Sequence, residues 1–249
     1  MHEFELPSGL TVELRELTGN EEEILSDERQ MRDGTGLNRA LRNCIVRLGD
    51  NESVSERDVQ AMFTGDRQAA LVRLRQITFG DELELSLVCA NTKCGAENII
   101  VVNLAEAEQK PYAPEREHSF TLPGCRQVVV FGYSTGEHEL RLSKLKDDAD
   151  IHSLMLMRIV SVDGNPPSRK SVRDWSANDI KHLRNKINSV DGDIDTTIKT
   201  VCRECGTPIV TRAEANYQGF FFPTDLSRKG RATTVSFLRT ADSAGDIPT

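Results

Sequence analysis

The sequence predicts an α+β protein with an internal duplication, so that the chain contains two similar units. Each unit is a β-hairpin, a set of helices and a second β-hairpin, and a shared zinc-ribbon-like site of four cysteines joins the two. Three observations lead to this prediction. A motif near the N-terminus recurs about halfway along the chain. Alternating and helical apolar patterns follow both copies in the same order. Each copy then ends in a pair of cysteines.

The repeat is clearest where identical residues recur. Residues 4–7 read Phe-Glu-Leu-Pro, and residues 120–123 read Phe-Thr-Leu-Pro. Between these openings and the two cysteine pairs, apolar positions match with an offset that drifts only slightly, as small changes in loop length would cause. Chance similarity of apolar patterns is the alternative. Identities at both ends of the match favour a duplication.

The first half of each unit predicts a hairpin followed by helices. Apolar residues alternate around a tight turn at 3–17 and again at 119–133, the signature of a β-hairpin with one buried face. Acidic residues at 21–23 favour the first turn of a helix. Apolar residues at steps of three and four then predict amphipathic helices over 37–48 and 151–162.

The second half of each unit predicts two more helices and a second hairpin. Ser55 and Ser176 each precede an aspartate by three positions, a capping pattern that starts a helix. Longer helices are predicted at about 66–78 and 178–189. Strands are predicted on both sides of each cysteine pair, at 83–88, 99–103, 197–201 and 209–211.

These elements predict four segments. The first repeat covers 1–104, and a charged, proline-bearing linker covers 105–118. The second repeat covers 119–216. Residues 217–249 form an aromatic segment and an extended C-terminal tail, which is expected to be disordered or to become ordered against a partner.

Charge and composition limit the possible functions. The 249 residues carry a formal net charge of −8, so nucleic acid is an unfavourable partner because phosphate binding needs a basic face. No apolar run reaches the length of a membrane span, and the acidic N-terminus does not resemble a signal peptide. We therefore expect synthesis in the cytoplasm and reduced cysteines.

The two cysteine pairs predict a structural Zn²⁺ site. Cys89 and Cys94 lie at the tip of the first unit's second hairpin, and Cys202 and Cys205 lie at the equivalent tip of the second unit. The second cysteine of each pair is followed by glycine, as expected for a tight turn that points both thiolates at one ion. Two half-sites without metal, or a redox-active Cys202–Cys205 pair, are the alternatives.

Other motifs do not predict catalysis. The sequence contains no phosphate-binding loop, nucleophile elbow, zinc-protease motif or dinucleotide fingerprint, so the protein is not expected to be an enzyme. The aromatic segment near the C-terminus is the expected binding site for a protein partner. Its candidate residues are Tyr217, Phe220, Phe221 and Phe222.

Several short motifs together resemble a known family. These are the opening at 4–12, Gly65-Asp66-Arg67 before a helix rich in Leu and Arg, Phe79-Gly80 before a strand, and the cysteine tip that follows. They resemble the T4-type baseplate proteins of contractile-tailed phages, a group that includes baseplate hub assembly proteins and tail assembly chaperones. The spacing between Cys89 and Cys94 is wider than the two-residue spacing expected for such a tip.

The resemblance implies a non-enzymatic part in building a phage tail baseplate or hub, and the cysteine pairs predict that zinc stabilises this part. It implies other tail proteins as partners, a multi-copy assembly, and a location in the host cytoplasm during assembly and then in the virion tail. A zinc-ribbon adaptor that binds nucleic acid is one alternative. A transient tail assembly chaperone, absent from the mature virion, is another.

Overall fold

A computed structural model describes residues 1–145, 153–215, 217–222 and 233–237. The chain alternates between helices and short strands, which confirms the α+β class. The strands are β1 His2–Glu5, β2 Thr11–Leu14, β3 Ile45–Leu48, β4 Glu82–Val88, β5 Glu97–Asn103, β6 Glu108–Lys110, β7 Glu117–Thr121, β8 Val128–Gly132, β9 Ile159–Val162, β10 Asp193–Asp195, β11 Thr197–Val201, β12 Pro208–Arg212 and β13 Thr233–Thr234. The α-helices are α1 Gly19–Ser26, α2 Glu28–Arg32, α3 Thr35–Cys44, α4 Glu56–Ala61, α5 Thr64–Phe79, α6 Gly136–Leu145, α7 Ser153–Arg158, α8 Arg169–Arg173, α9 Ala177–Val190 and α10 Tyr217–Phe221.

Each opening hairpin gains a third strand. The sheets have the orders β1-β2-β3 and β7-β8-β9, and all their strand pairs are antiparallel. The register of β2 with β3 shifts between Glu13 and Leu14, and that of β8 with β9 shifts between Val130 and Phe131. The two sheets therefore share strand order and the position of a bulge.

The predicted helices over 37–48 and 151–162 are too long. Helix α3 ends at Cys44, and residues 45–48 form β3; α7 ends at Arg158, and residues 159–162 form β9. The apolar residues at the ends of β3 and β9 are three positions apart, which fits a helix as well as a short strand. The Ile-Val pair that begins each strand is β-branched and favours the extended conformation.

A buried carboxylate at the start of the longest helix in each half holds the opening hairpin turn. In the first half, Asp66 in α5 accepts a hydrogen bond from the Ser8 N–H at 2.9 Å. In the second half, Asp179 in α9 accepts one from the Gly124 N–H at 2.6 Å. The capping pattern predicted at Ser176 is confirmed, because its hydroxyl accepts from the Asp179 N–H.

Among the described residues, the two larger hydrophobic cores do not follow the predicted repeats. One core takes its residues from Leu122 to Val190. The other contains residues between Leu6 and Ala107 together with later residues, namely Ile194, Ile198, Ala213, Phe220, Phe221 and Phe237. The end of the predicted second repeat thus packs into the core of the first.

The predicted linker is ordered and contacts both halves. Its strand β6 pairs with β10, and Tyr112 packs against Phe63 and Tyr133 with ring centroids 5.0 and 4.6 Å away. The Tyr112 hydroxyl accepts a hydrogen bond from the Gly65 N–H at 2.8 Å. The Tyr112–Tyr133 pair is edge to face, and such pairs add to the stabilisation from burial alone. The segment 105–118 therefore joins the halves through specific contacts.

Candidate metal centre

The two cysteine turns have closely similar backbones. In the first, the Cys89 N–H donates to the Ala96 carbonyl at 2.9 Å; in the second, the Cys202 N–H donates to the Thr207 carbonyl at 2.8 Å. The glycine after each second cysteine has a positive φ, 58° at Gly95 and 71° at Gly206. Glycine adopts this conformation without the steric cost that a Cβ atom would impose. Both turns therefore point their two thiols towards the same space.

The structure brings all four predicted ligands together. Their sulfur atoms lie within 4.8 Å of one another. The Cys89 and Cys205 sulfurs are 3.6 Å apart, and those of Cys94 and Cys202 are 3.8 Å apart. A tetrahedral zinc ion with Zn–S bonds of about 2.3 Å holds its sulfurs about 3.8 Å apart. The cluster therefore has the size and donor chemistry of a four-thiolate zinc site.

The spacing does not favour the redox alternative. All six cysteines are free, and a disulfide requires sulfurs about 2.05 Å apart. The close contacts above each join one turn to the other. The structure thus gives no specific support to a disulfide between Cys202 and Cys205, the pair that the redox hypothesis requires.

Backbone N–H groups favour the ionised form of the thiols. Each sulfur accepts a hydrogen bond from the N–H two residues after its own cysteine, those of Asn91, Ala96, Glu204 and Thr207. An N–H directed at sulfur stabilises a thiolate, which is the form that binds metal. The turn backbone thus prepares the cluster for a cation.

The pKa values of two thiols in the cluster are shifted in opposite directions. Burial would raise the pKa of Cys202, but hydrogen bonds from the Cys205 and Glu204 N–H groups and the Asn98 amide lower it to about 6. The Ala96 N–H lowers the pKa of Cys94, but the neighbouring Cys205 sulfur and burial raise it to about 12. Without a cation, crowding keeps protons on part of the cluster because adjacent thiolates repel each other.

Asn98 supports the cluster from outside and was not anticipated from the sequence. It is buried in β5, and its amide nitrogen lies 3.6 Å from the Cys202 sulfur. Its carbonyl oxygen accepts a hydrogen bond from the Arg203 N–H at 3.0 Å. Asn98 therefore links the first hairpin to the second turn. Its position beside the apolar run Ile99–Val102 was the available signal, because a polar residue next to such a run often has a specific partner.

The aromatic residues expected to bind a partner have different environments. Phe220 and Phe221 are 0% and 1% exposed, and their rings pack edge to face at 5.0 Å within the first core. Phe222 is only partly buried and borders a cavity of about 380 Å³ beside Leu17 and Phe79. The side chain of Tyr217 lies outside the described residues, as do residues 223–232 and 238–249. Of the three candidates whose side chains are described, Phe222 is the one that is only partly buried.

Similarity to a known family extends over most of the chain. A family model described as T4 bacteriophage base plate protein matches residues 1–215, which include both cysteine turns. The chain belongs to this family. Membership in the base plate protein family confirms the resemblance seen in the short sequence motifs. It also supports a structural part in the phage baseplate, with other tail proteins as partners.

In two further comparisons, no curated protein and no solved structure matches the chain. Within the part of the chain that the structure describes, no helix has both the length and the apolar character needed to cross a bilayer.

Proposed function

We propose that this base plate protein is a non-enzymatic structural or assembly component in which one Zn²⁺ ion clamps two hairpins together. Cys89, Cys94, Cys202 and Cys205 would each supply one thiolate. The observation that carries the proposal is the grouping of four sulfurs within 4.8 Å. Zinc here would contribute to folding, because a structural site exists only when its ligands have been brought together.

We also infer that the two halves arose by duplication. Shared strand order, an equivalent bulge, a carboxylate on each hairpin turn and matching glycine turns support this inference. The ranges 1–104 and 119–216 would then be repeats of sequence and not separately folding domains. Two related halves suit a part that bridges two like subunits of an assembly, since each half can present a similar surface.

Zinc content tests the shared site. Wild-type protein purified without chelator should carry one equivalent of zinc, and Cys89→Ser and Cys202→Ser should each lose most of it. Cys125→Ser is the matched control, because Cys125 is exposed and lies outside the cluster. Retention of a full equivalent in either ligand variant would show that the two turns do not share one ion.

The assembly role is tested with tail partners. The wild-type chain should co-purify with other baseplate proteins when they are produced together, and Phe222→Ala should weaken that association. Mass spectrometry of purified virions distinguishes a structural component from a transient chaperone, which would be missing. Failure to associate with any tail protein would contradict the proposal.

The alternative function is a zinc-ribbon adaptor that binds nucleic acid. The net charge of −8 disfavours this alternative, whereas a salt-dependent mobility shift of labelled DNA or RNA in the presence of the protein would support it.

A further inference from the structure

A short strand near the C-terminus contacts both hairpins that carry the cysteines. Strand β13 pairs in parallel with β5, with Thr233 opposite Ile100 and Thr234 opposite Val101. Three residues further on, Phe237 forms an antiparallel bridge with Ile198 of β11. Residues 233–237, here termed the C-terminal strand, thus pair with β5 at their start and with β11 at their end. They join the hairpin β4-β5 to the hairpin β11-β12.

The contacts combine backbone pairing with one apolar anchor. The Val235 N–H donates to the Val101 carbonyl at 2.9 Å. Phe237 is 7% exposed and belongs to the first core, and Val235 packs against that core. Thr234 and Ser236, the alternate residues, are exposed. The C-terminal strand therefore has one apolar and one polar face, as a strand at the surface requires.

The strand is connected to the rest of the protein by a long segment. Residues 223–232 lie between α10 and the C-terminal strand, and a chain of ten residues can span about 35 Å when extended. At that contour length, the strand of an adjacent copy can also reach the slot. The surface of β5 and β11 that this strand covers, termed the strand slot, includes its pairing residues Ile100, Val101 and Ile198 and is the same in every copy.

We propose that the strand slot is a strand-acceptor site, filled in the isolated protein by the chain's own C-terminal strand and in an assembled particle by the C-terminal strand of a second copy. Exchange would preserve the described contacts of the strand, because the second copy offers the same sequence to the same slot. This is strand exchange of the domain-swapping type, in which neighbouring copies become linked without any new interface chemistry.

The effective concentration of the tethered C-terminal strand explains why strand exchange needs an assembled particle. A strand tethered to its own chain through ten residues is present at its own slot at roughly millimolar effective concentration. A free second copy at micromolar concentration cannot compete with that tether. Copies held side by side in a baseplate can compete, so exchange would follow assembly. This setting rests on the proposed baseplate role, whereas the slot itself can be tested in the purified protein.

The slot is tested first with a peptide. In the full chain, Phe237→Asp should expel the C-terminal strand, because a buried carboxylate without a partner is strongly unfavourable. A labelled peptide of residues 231–240 should then bind this acceptor variant and not the wild-type chain, whose slot is filled. A peptide with Phe237→Ala should bind about tenfold more weakly, since it lacks the apolar anchor. If Phe237→Asp fails to fold, Val235→Asp replaces it as the acceptor.

Exchange with a second copy is tested with a strand-donor variant, a chain whose C-terminal strand is free but whose own strand slot cannot bind a strand. The Val101 carbonyl faces the C-terminal strand, and in a strand the N–H of the same residue points the same way. Val101→Pro removes that N–H and should close the slot while leaving a free C-terminal strand. Mixed at high micromolar concentration, the Phe237→Asp acceptor and the Val101→Pro donor should form a heterodimer in sedimentation, although each alone is monomeric.

The outcomes separate the two parts of the proposal. Heterodimer formation that disappears when the donor also carries Phe237→Asp supports strand exchange. Peptide binding without any heterodimer would mean that the C-terminal strand serves only its own chain. Absence of peptide binding to a folded acceptor would refute the slot, whatever the protein's role in the baseplate. Should Val101→Pro not fold, a carrier protein fused to residues 223–249 serves as the donor.

Discussion

The ion pair between Glu21 and Arg15 provides a stability prediction with a defined pH dependence. Glu21 is 1% exposed at the start of α1, and both of its oxygens accept from the Arg15 guanidinium at 2.9 and 3.0 Å. The same carboxylate accepts from the Thr18 N–H at 3.0 Å and from its hydroxyl at 2.8 Å. These bonds attach the end of β2 to the first turn of α1, so Glu21→Gln should destabilise the first core.

The magnitude follows from the pKa of Glu21. Burial would raise this pKa, but the hydrogen bonds from Arg15 and Thr18 outweigh it and lower the pKa from 4.5 to about 2. A shift of that size corresponds to at most about 3 kcal/mol of stabilisation at neutral pH. Arg15 is about one-third exposed, so solvent screening reduces the value. Charge-assisted hydrogen bonds contribute about 1.5–3 kcal/mol on average, and we expect a loss of about 2 kcal/mol.

The pH dependence has a definite sign. The pKa of Glu21 is lower in the folded than in the unfolded state, so its stabilisation is complete above about pH 5. It is lost as the pH falls towards 2, because the folded carboxylate then takes up a proton. The difference in unfolding free energy between wild type and Glu21→Gln should therefore be largest near pH 7 and smaller at pH 3.

Urea unfolding measures this difference. The urea midpoint of Glu21→Gln should fall at pH 7 without a change in the m value, which reports the surface exposed on unfolding. Glu22→Gln is the matched control, because Glu22 is exposed on the same helix. Any loss of metal in acid affects each protein alike and cancels in the comparison. Equal midpoints for the two variants at pH 7, or an unchanged difference at pH 3, would refute the reasoning.

Two further substitutions test the site and the core. Asn98→Ala removes the amide that faces the Cys202 sulfur. In a chelator competition, this variant should bind zinc about 10- to 100-fold more weakly than the wild type. An unchanged affinity would show that Asn98 does not support the ligands. Phe220→Ala should lower the free energy of unfolding in urea by about 3–5 kcal/mol because it leaves a cavity in the core. Phe222→Ala should lower it clearly less. Similar losses for the two variants would contradict the different environments of the two rings.

Local patterns in the sequence were sufficient for many elements. The alternating residues of the opening hairpins, the capping serines and the apolar periods of α5 and α9 correspond to the structure. The four cysteines were also identifiable, because glycine after the second cysteine of each pair marks a turn with positive φ. Each of these signals lies within a few neighbouring residues, where backbone preference and side-chain chemistry act together.

Other features depend on contacts between distant residues. The apolar spacing of β3 and β9 is ambiguous over four residues, so the sequence pattern predicts helix ends there. Strands β6 and β13 have three and two residues, too few for a period to be recognised. Burial of Phe220 in the first core depends on where α10 packs, and the aromatic sequence itself is equally compatible with an exposed binding segment.

The late completion of the first core has a consequence for synthesis. Apolar residues such as Leu83 and Val102 share a core with Ile194, Phe220 and Phe237, so the ribosome must translate past Phe237 before that core can close. The N-terminal half therefore cannot reach its final packing while it is being made, and contacts over such long sequence separations slow folding. A prematurely terminated chain would expose these side chains and become a substrate for proteases.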